Sequence, residues 1–514
     1  MRLLIVCLII PYLCVSQNLL ETRIHDEITI EEIQESFKNN DYTIVELTDY
    51  YLSRIESLNL KGPKLNAVIT INPDAIKIAT ELETERQQGK LRGPLHGIPI
   101  LLKDNINTFD KMPCTAGSRV MRNSYPLRDS PLVIQLRKSG AIIIGKANLS
   151  EWANFHSYGS SSGWSGLQGQ TKNPYKLDCN PCGSSAGSAV GVSANMSVLA
   201  NGTETNGSIV CPSNHNGFVG IKPTVGLISR TGIIPISETH DTAGPMARSV
   251  RDAVICLGAL TSIDPLDKKT LQANRKIHSD YTPYLKLDGL KGKTIGYYSH
   301  PVKEDQRLVP IMEEAIKYFK ENGAEIIELD NFITKDVYQA SFTVMLYEFN
   351  NGINKYLNNL GENSVVKNLS EIIDLTLNDS IEMANNKHEI LELALTKGSL
   401  KSKEYLDGLK LIEELKETFK GLMDSLELDA IISPTGSPAW KTDIVNGDDF
   451  GASSSSLSAI TGNPNITLPM GQVEGLPVGL SIFGRAWSEP VLIEIAYAFE
   501  QGTKKRRTPF FLEK

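Results

Sequence analysis

Residues 183–249 are dense in Gly, Ser, Thr, Asn and Pro, yet the stretch is too long for an ordinary connection. In a compact enzyme a segment of this kind is functional backbone rather than spacer. The rest of the chain is long enough to support it. With 514 residues it can bury a large core without disulfide or metal staples. Hydrophobic residues at 41% and charged residues at 22% are ordinary globular usage, which excludes disordered, collagen-like and coiled-coil readings. Lys and Arg total 52 against 60 Asp and Glu, a formal net charge of −8. Nothing in that balance attracts nucleic acid.

The N-terminus reads as a leader. Arg2 is followed by an apolar run from Leu3 to Leu13 and then by Cys14-Val15-Ser16, with small side chains placed for a cut before Gln17. The expectation is a signal peptide over 1–16 and a secreted or secretory-lumen protein; a signal anchor or a core strand are the alternatives. No other segment approaches the length of a membrane helix, so no stable membrane association is expected. With Cys7 and Cys14 removed, Cys114, Cys179, Cys182, Cys211 and Cys256 remain. The number is odd, so at least one thiol is free or pairs with another chain. Cys179-x-x-Cys182 has redox or metal spacing, but no second such pair or His motif accompanies it. Asn-x-Ser/Thr sequons occur at Asn148, Asn195, Asn201, Asn206, Asn368, Asn378 and Asn465.

Residues 29–60 predict two helices; in the second, Ile44, Leu47, Tyr50, Tyr51, Ile55 and Leu58 recur at helical spacing. Ser130-Pro131 predicts a helix running to Lys138, with a short buried strand over Ala141 to Ile144. Thr294 to Tyr298 reads as a strand, Leu308 to Glu321 as a helix stopped by Asn322-Gly323, and Ala324 to Leu329 as a strand. Residues 330–425 read as a helical insertion or cover, and Ile431-Ile432 as another buried strand. Strands alternating with helices predict an α/β layer architecture. No internal repeat appears, and no low-complexity linker apart from Ser453–Ser456. One large domain over 17–514 is therefore expected, although roughly 150 residues per domain would give three or four.

Several local motifs fail on context. Gly140 to Lys146 has phosphate-loop spacing, but Ala147 stands where a hydroxyl is required and the interior is strand-like. Gly183-Ser184-Ser185-Ala186-Gly187 and Gly159-Ser160-Ser161-Ser162-Gly163 match a nucleophile elbow, but neither follows an apolar strand. No His sits in a pattern that gives it a role. There is no His-Glu-x-x-His, no carboxylate cluster with metal spacing and no dinucleotide fingerprint. A serine hydroxyl needs a base to attack a carbonyl, and without His the next candidate is a neutral lysine. Lys103 ends the apolar run Ile98 to Leu102, and burial there would lower its pKa from about 10.4 towards neutrality. A lysine snorkelling to solvent from the strand end is the competing reading.

These pieces together resemble the amidase signature family of serine hydrolases. The matching runs are Gly97-Ile98-Pro99 with Leu102-Lys103-Asp104, Gly183 to Ala189, Gly202 to Ile209, Gly220 to Thr224 and Asp241 to Arg248. Gly462-Asn463-Pro464, Leu468-Pro469 and Gly475 to Leu480 agree as well. The resemblance implies an α/β fold with a central mixed β-sheet covered by helices on both faces, and a Ser–cis-Ser–Lys triad. Ser208 would be the nucleophile, Ser184 the bridging serine after a cis peptide from Gly183, and Lys103 the base. The backbone N–H groups of Thr205, Asn206, Gly207 and Ser208 would form the oxyanion hole, with no cofactor and no metal.

The chain departs from the broad family. Cys182 replaces a Gly, and Glu204, Asn206 and Val210 replace the usual Asp, Gly and Arg. Asn206 is tolerable there because Asn accepts left-handed backbone well. These departures resemble the bacterial peptide amidase branch, which implies release of ammonia from a primary carboxamide such as a peptide C-terminal amide. A lipid or aryl amide hydrolase of the same family, or a non-catalytic secreted binding protein on this scaffold, are the alternatives. The resemblance implies a small-molecule or peptide amide as partner. Substrate-pocket residues are expected from 153–170, 229–241 and 335–400.

Overall fold

The computed structural model describes residues 27–273, 276–384 and 387–512; the expected leader over 1–16 lies outside them. Its strands are β1 (Val68–Ile71), β2 (Pro99–Lys103), β3 (Ile142–Ala147), β4 (Trp164–Ser165), β5 (Gly169–Gln170), β6 (Leu199–Glu204), β7 (Val219–Lys222), β8 (Thr242–Ala247), β9 (Thr294–Tyr298), β10 (Glu325–Leu329), β11 (Ala430–Pro434), β12 (Asn465–Val473) and β13 (Leu476–Phe483). Eleven of them form one sheet in the order β1-β3-β2-β6-β8-β7-β12-β13-β11-β9-β10, while β4 and β5 pair separately. The sheet is mixed. β3, β2 and β6 run parallel, as do β11, β9 and β10. Antiparallel pairings from β6 through β8, β7, β12 and β13 to β11 join the two parallel blocks. This is the expected α/β domain with a central mixed sheet.

Every residue of β2, β3, β6 and β8 is buried, as strands covered on both faces require. The helix Ala186–Ser193 is buried along its whole length. It comes this close to the sheet because it is built from small residues. A Cβ on Gly187 would stand 2.2 Å from the Ala67 carbonyl oxygen, and one on Gly191 would stand 2.6 Å from Leu101 Cδ1. That approach brings Ser184, just before the helix, over the ends of β2 and β6.

The expected helices form with small shifts at their ends. Thr29 and Thr43 build capping boxes with Glu32 and Glu46, which start the helices Ile30–Asn39 and Ile44–Ile55. The second continues as a wider turn, Glu56–Leu60. Pro131–Lys138 is capped by Ser130 as expected. The strand anticipated at Ala141 begins at Ile142 and runs on to Ala147, because Lys146 and Ala147 keep pairing with β2. The helix anticipated from Leu308 starts at Val309, since Leu308 closes the preceding turn Gln306–Leu308.

Residues 330–425 are helical, with Lys335–Asn359, Leu369–Leu377, Glu389–Leu395 and Lys403–Ser425 as their main elements. Leu346, Phe349 and Ile353 of the first of these helices belong to one apolar cluster with Trp152, Phe155, Ile234 and Ile236. The helical segment thus packs directly on two loops that border the site.

Candidate active site

Lys103 ends β2 with its side chain fully buried, at 0% exposure. Its Nζ lies 2.7 Å from Ser184 Oγ, 2.9 Å from Thr203 Oγ1 and 3.1 Å from the Thr203 carbonyl oxygen. Burial pulls the Lys103 amine down to about 7, against the upward pull of the Asp241 and Glu204 carboxylates. A neutral amine has two hydrogens and one lone pair. With the hydrogens committed to the two Thr203 oxygens, the lone pair faces the Ser184 hydroxyl. The peptide between Gly183 and Ser184 is cis.

Ser208 lies beside this pair. The Ser185 N–H donates to the Ser208 carbonyl at 3.2 Å, which draws the two serine-bearing segments together. Ser208 is 9% exposed, against 1% for Ser184 and none for Lys103. Among the described residues the Ser208 hydroxyl makes no hydrogen bond, so the Lys103–Ser184 link is formed and the Ser184–Ser208 link is not. The amides of Asn206, Gly207 and Ser208 also meet no acceptor among the described residues, and they leave a row of donors beside the Ser208 hydroxyl.

Glu204 explains part of the local turn. Its Oε2 accepts from the N–H groups of Ile209 and Val210 at 2.8 and 3.0 Å, so it caps the helix Val210–His215 that follows Ser208. The left-handed position is Gly207, at φ +81°, and not Asn206 as expected from the sequence. Asn206 is held by its side chain instead. Its Nδ2 donates to Ser456 Oγ at 3.1 Å and its Oδ1 accepts from Ser455 Oγ at 2.9 Å. The serine run 453–456 is therefore part of the site's frame.

Other expectations find their place. Lys146, at the end of the rejected phosphate-loop motif, is buried in β3 with Asp104 4.0 Å away. Ser185, the centre of one elbow motif, donates to the Thr203 carbonyl at 3.1 Å and acts as a brace. Cys182 and Cys211 form a disulfide, while Cys114, Cys179 and Cys256 are free and buried. The Cys179-x-x-Cys182 spacing therefore joins neither a metal nor a bridge of its own. Of the sequons, Asn148, Asn195, Asn201 and Asn465 are buried.

Sequence reasoning assigned no roles to Thr203, Asp241 or Lys222. The Thr205 hydroxyl donates to Asp241 Oδ1 at 2.6 Å, and Asp241 Oδ2 accepts from Ile236 and Ser237 N–H. Burial raises the Asp241 carboxyl to about 6 and lowers the buried Lys222 amine to about 8. Asp241 lay inside a quoted motif, so the signal was present without a contact to interpret it. A cavity of about 30 Å³ is lined by Asn105, Ala153, Thr203, Thr205, Arg230, residues 233–236, Asp241 and Thr242. It draws on two of the segments expected to supply the pocket, but not on 335–400.

A buried lysine–serine pair, a second serine beside it and a row of open amides lie together on a large mixed α/β sheet. The amidase family model matches residues 46–493, and the chain belongs to that family. It is similar to native peptide amidase from Stenotrophomonas maltophilia at 43% identity, with a TM-score of 0.89 over 94% of this chain and 98% of that one. An amidase family protein from Bacillus anthracis is 34% identical, with a TM-score of 0.86 over 96% of this chain and 94% of that one. A protein of Arabidopsis thaliana named "Probable amidase" is 39% identical over 500 residues, covering 95% of this chain and 92% of its own length. The protein is an amidase, and its reaction class is hydrolysis of amide carbon–nitrogen bonds.

Proposed function

We propose that this amidase releases ammonia from a primary carboxamide, with a peptide C-terminal amide as the substrate class, through an acyl-enzyme on Ser208. The observation that carries the reading is the buried Lys103 amine, drawn to about 7 and set 2.7 Å from Ser184 Oγ. An amine with that pKa is neutral often enough near pH 7 to serve as a base. Lys103 takes the Ser184 proton as Ser184 takes that of Ser208, and Ser208 Oγ attacks the carboxamide carbon. The Ser184–Ser208 hydrogen bond closes as substrate seats, since catalytic hydrogen bonds are often long in unliganded enzymes.

The developing oxyanion faces the amides of Thr205, Asn206, Gly207 and Ser208. A donor of this kind typically contributes about 3–4 kcal/mol to the transition state. Protonated Lys103 returns its proton through Ser184 to the leaving nitrogen, ammonia departs, and water hydrolyses the ester. The peptide class is supported by the likeness to peptide amidase over nearly the whole chain. The apolar leader supports an extracytosolic location for the mature protein. Among the described residues no helix is long and apolar enough to cross a membrane.

The test is ammonia release from a C-terminally amidated dipeptide by wild type and Ser208→Ala side by side. Release by the wild type alone is the expected result. If neither releases ammonia but a serine-reactive probe labels only the wild type, the substrate class is wrong. If Ser208→Ala keeps full activity, the nucleophile is misassigned.

A further inference from the structure

The Cys182–Cys211 disulfide bridges a sequence separation of 29, and the span it closes contains both Ser184 and Ser208. Cys182 directly precedes the Gly183-Ser184 pair. Cys211 lies in the short helix after Ser208, and its own N–H donates to the Gly207 carbonyl at 2.7 Å. The bridge thus grips the segment of the bridging serine on one side and the oxyanion turn on the other.

The other contacts that share that task are hydrogen bonds. No hydrogen bond joins the two serine hydroxyls, so their separation is set by backbone. The backbone tie between the segments at this point is Ser185 N–H to the Ser208 carbonyl, at 3.2 Å. Beside it the Ser185 hydroxyl donates to the Thr203 carbonyl at 3.1 Å, and further off Asn216 Nδ2 donates to the Pro181 carbonyl at 2.9 Å. Lys103 is anchored independently, by Thr203 on β6. Loss of the bridge would leave the sheet and the Lys103 contacts to Thr203 in place and remove the covalent restraint between the Ser184 and Ser208 segments, leaving only hydrogen bonds to hold their spacing.

We propose that the Cys182–Cys211 disulfide is a positioning element of the catalytic centre, so that its reduction slows turnover while the fold persists. The inference rests on the Ser208–Ser184–Lys103 reading. Cys182 is buried and Cys211 partly exposed, so a small dithiol has one sulfur to attack. Dithiothreitol supplies two electrons and two hydrogens. The S–S bond breaks, Cys182 and Cys211 become thiols, and the reductant closes to its own cyclic disulfide. Misplacement of a reacting group by about 1 Å can cost about 100-fold in rate, so the effect should fall on kcat.

The experiment measures ammonia release from the amidated dipeptide by oxidised wild type, dithiothreitol-treated wild type, a Cys182→Ser/Cys211→Ser double variant, Cys179→Ser and Ser208→Ala. Thiol counts and melting curves are recorded on the same samples. Reduction and the double variant should each lower kcat by about 10- to 100-fold with little change in KM and a retained cooperative melt. Reoxidation should restore the wild type and not the double variant, and Cys179→Ser should behave as wild type. Unchanged kcat with the thiols freed overturns the proposal. So does global unfolding on reduction, since the bridge would then be a staple of the fold. If Ser208→Ala retains activity, the triad reading itself has failed; if that variant is inactive and reduction has no effect, only this inference falls.

Discussion

Lys103 Nζ meets Ser184 Oγ at 2.7 Å in a site where neither residue is more than 1% exposed. The amine there titrates at about 7, with burial as the leading cause. As the proposed base Lys103 works only when neutral, so kcat/KM should rise with pH through about 7 and level off above it. The Asp241 carboxylate pulls this pKa upward, so Asp241→Asn should move the rising limb to lower pH. Lys103→Arg should not rescue activity, because a guanidinium stays protonated; a loss of at least about 100- to 10,000-fold is expected for removal of the base. Stability follows the same group. The unfolded lysine keeps its proton to about 10.4 and the folded one only to about 7, so this term favours folding increasingly between those values. A pH–rate profile flat from 5 to 9 would remove Lys103 as base.

Glu151 and Glu382 form a second buried arrangement, away from the chemistry. Glu151 Oε2 accepts from Gly166 N–H at 2.7 Å, and Glu382 Oε1 accepts from Arg119 N–H at 2.6 Å. Their remaining oxygens, Glu151 Oε1 and Glu382 Oε2, have no donor among the described residues, and the two carboxyl groups approach within 4.8 Å, oxygen to oxygen. Burial, followed by the charge of Glu382, raises the Glu151 carboxyl well above the usual range. One shared proton satisfies the pair. That proton is bound in the folded state and lost on unfolding above the ordinary carboxylate pKa, so this pair's contribution to stability declines as pH rises through the folded value. Glu382→Gln can keep its carbonyl on Arg119 and turn its amide to Glu151. The variant should match or exceed wild type by about 1–3 kcal/mol at pH 8 and show a flatter melting temperature against pH. A wild-type profile with no decline between pH 5 and 8 would contradict the shared proton.

The parts of this molecule that were legible in sequence are those set by neighbouring residues. Thr29-x-x-Glu32, Thr43-x-x-Glu46 and Ser130-Pro131 start helices through contacts within one turn. Lys103 is a candidate because it ends an apolar run, but only the resemblance to the family favours it over a lysine that snorkels to solvent. What depended on distant pairing was not legible. β7 pairs with β12 across more than two hundred residues, and no local pattern encodes that choice. Five cysteines allow many pairings, and only the fold selects Cys182 with Cys211. Asn206 was explained by backbone freedom, whereas its restraint comes from Ser455 and Ser456, about 250 residues away.

The Thr205–Asp241 contact joins the oxyanion turn to the pocket loop. Thr205 Oγ1 donates at 2.6 Å, and the other Asp241 oxygen holds Ile236 and Ser237 N–H at 2.8 and 2.9 Å. Thr205→Val keeps the shape and removes the donor. The turn that presents the amides of Asn206 and Gly207 would lose its anchor, with a fall of about 10-fold expected in kcat and a smaller change in KM. The kinetics should be read at pH 8, above the Lys103 transition. Wild-type kcat in this variant would show that Glu204 and the Asn206 contacts to Ser455 and Ser456 hold the turn without Thr205.

Glu348 is the corresponding anchor from the helical side. It is buried in the helix Lys335–Asn359 and gathers four donors from elsewhere in the chain. Ser237 Oγ and Thr239 N–H donate to Oε2 at 2.5 and 2.9 Å, and Thr239 Oγ1 and Tyr405 OH donate to Oε1 at 2.7 Å each. Ser237 and Thr239 lie between residues 233–236 and Asp241, which line the small cavity. Glu348→Ala would leave the Thr239 N–H, the Thr239 hydroxyl and the Tyr405 hydroxyl without their acceptor, while Ser237 Oγ keeps its contact to His240 Nδ1 at 2.8 Å, a loss of more than about 3 kcal/mol. Glu348→Gln keeps the volume and one good acceptor and should lose about 1–2 kcal/mol. Because the loop borders the pocket rather than the nucleophile, the Gln variant should raise KM several-fold and spare kcat. Denaturant midpoints and steady-state kinetics on the two variants decide the matter: equal stability of both with wild type would mean that the cover merely rests on the loop, and a loss confined to kcat would place Glu348 in the catalytic step instead.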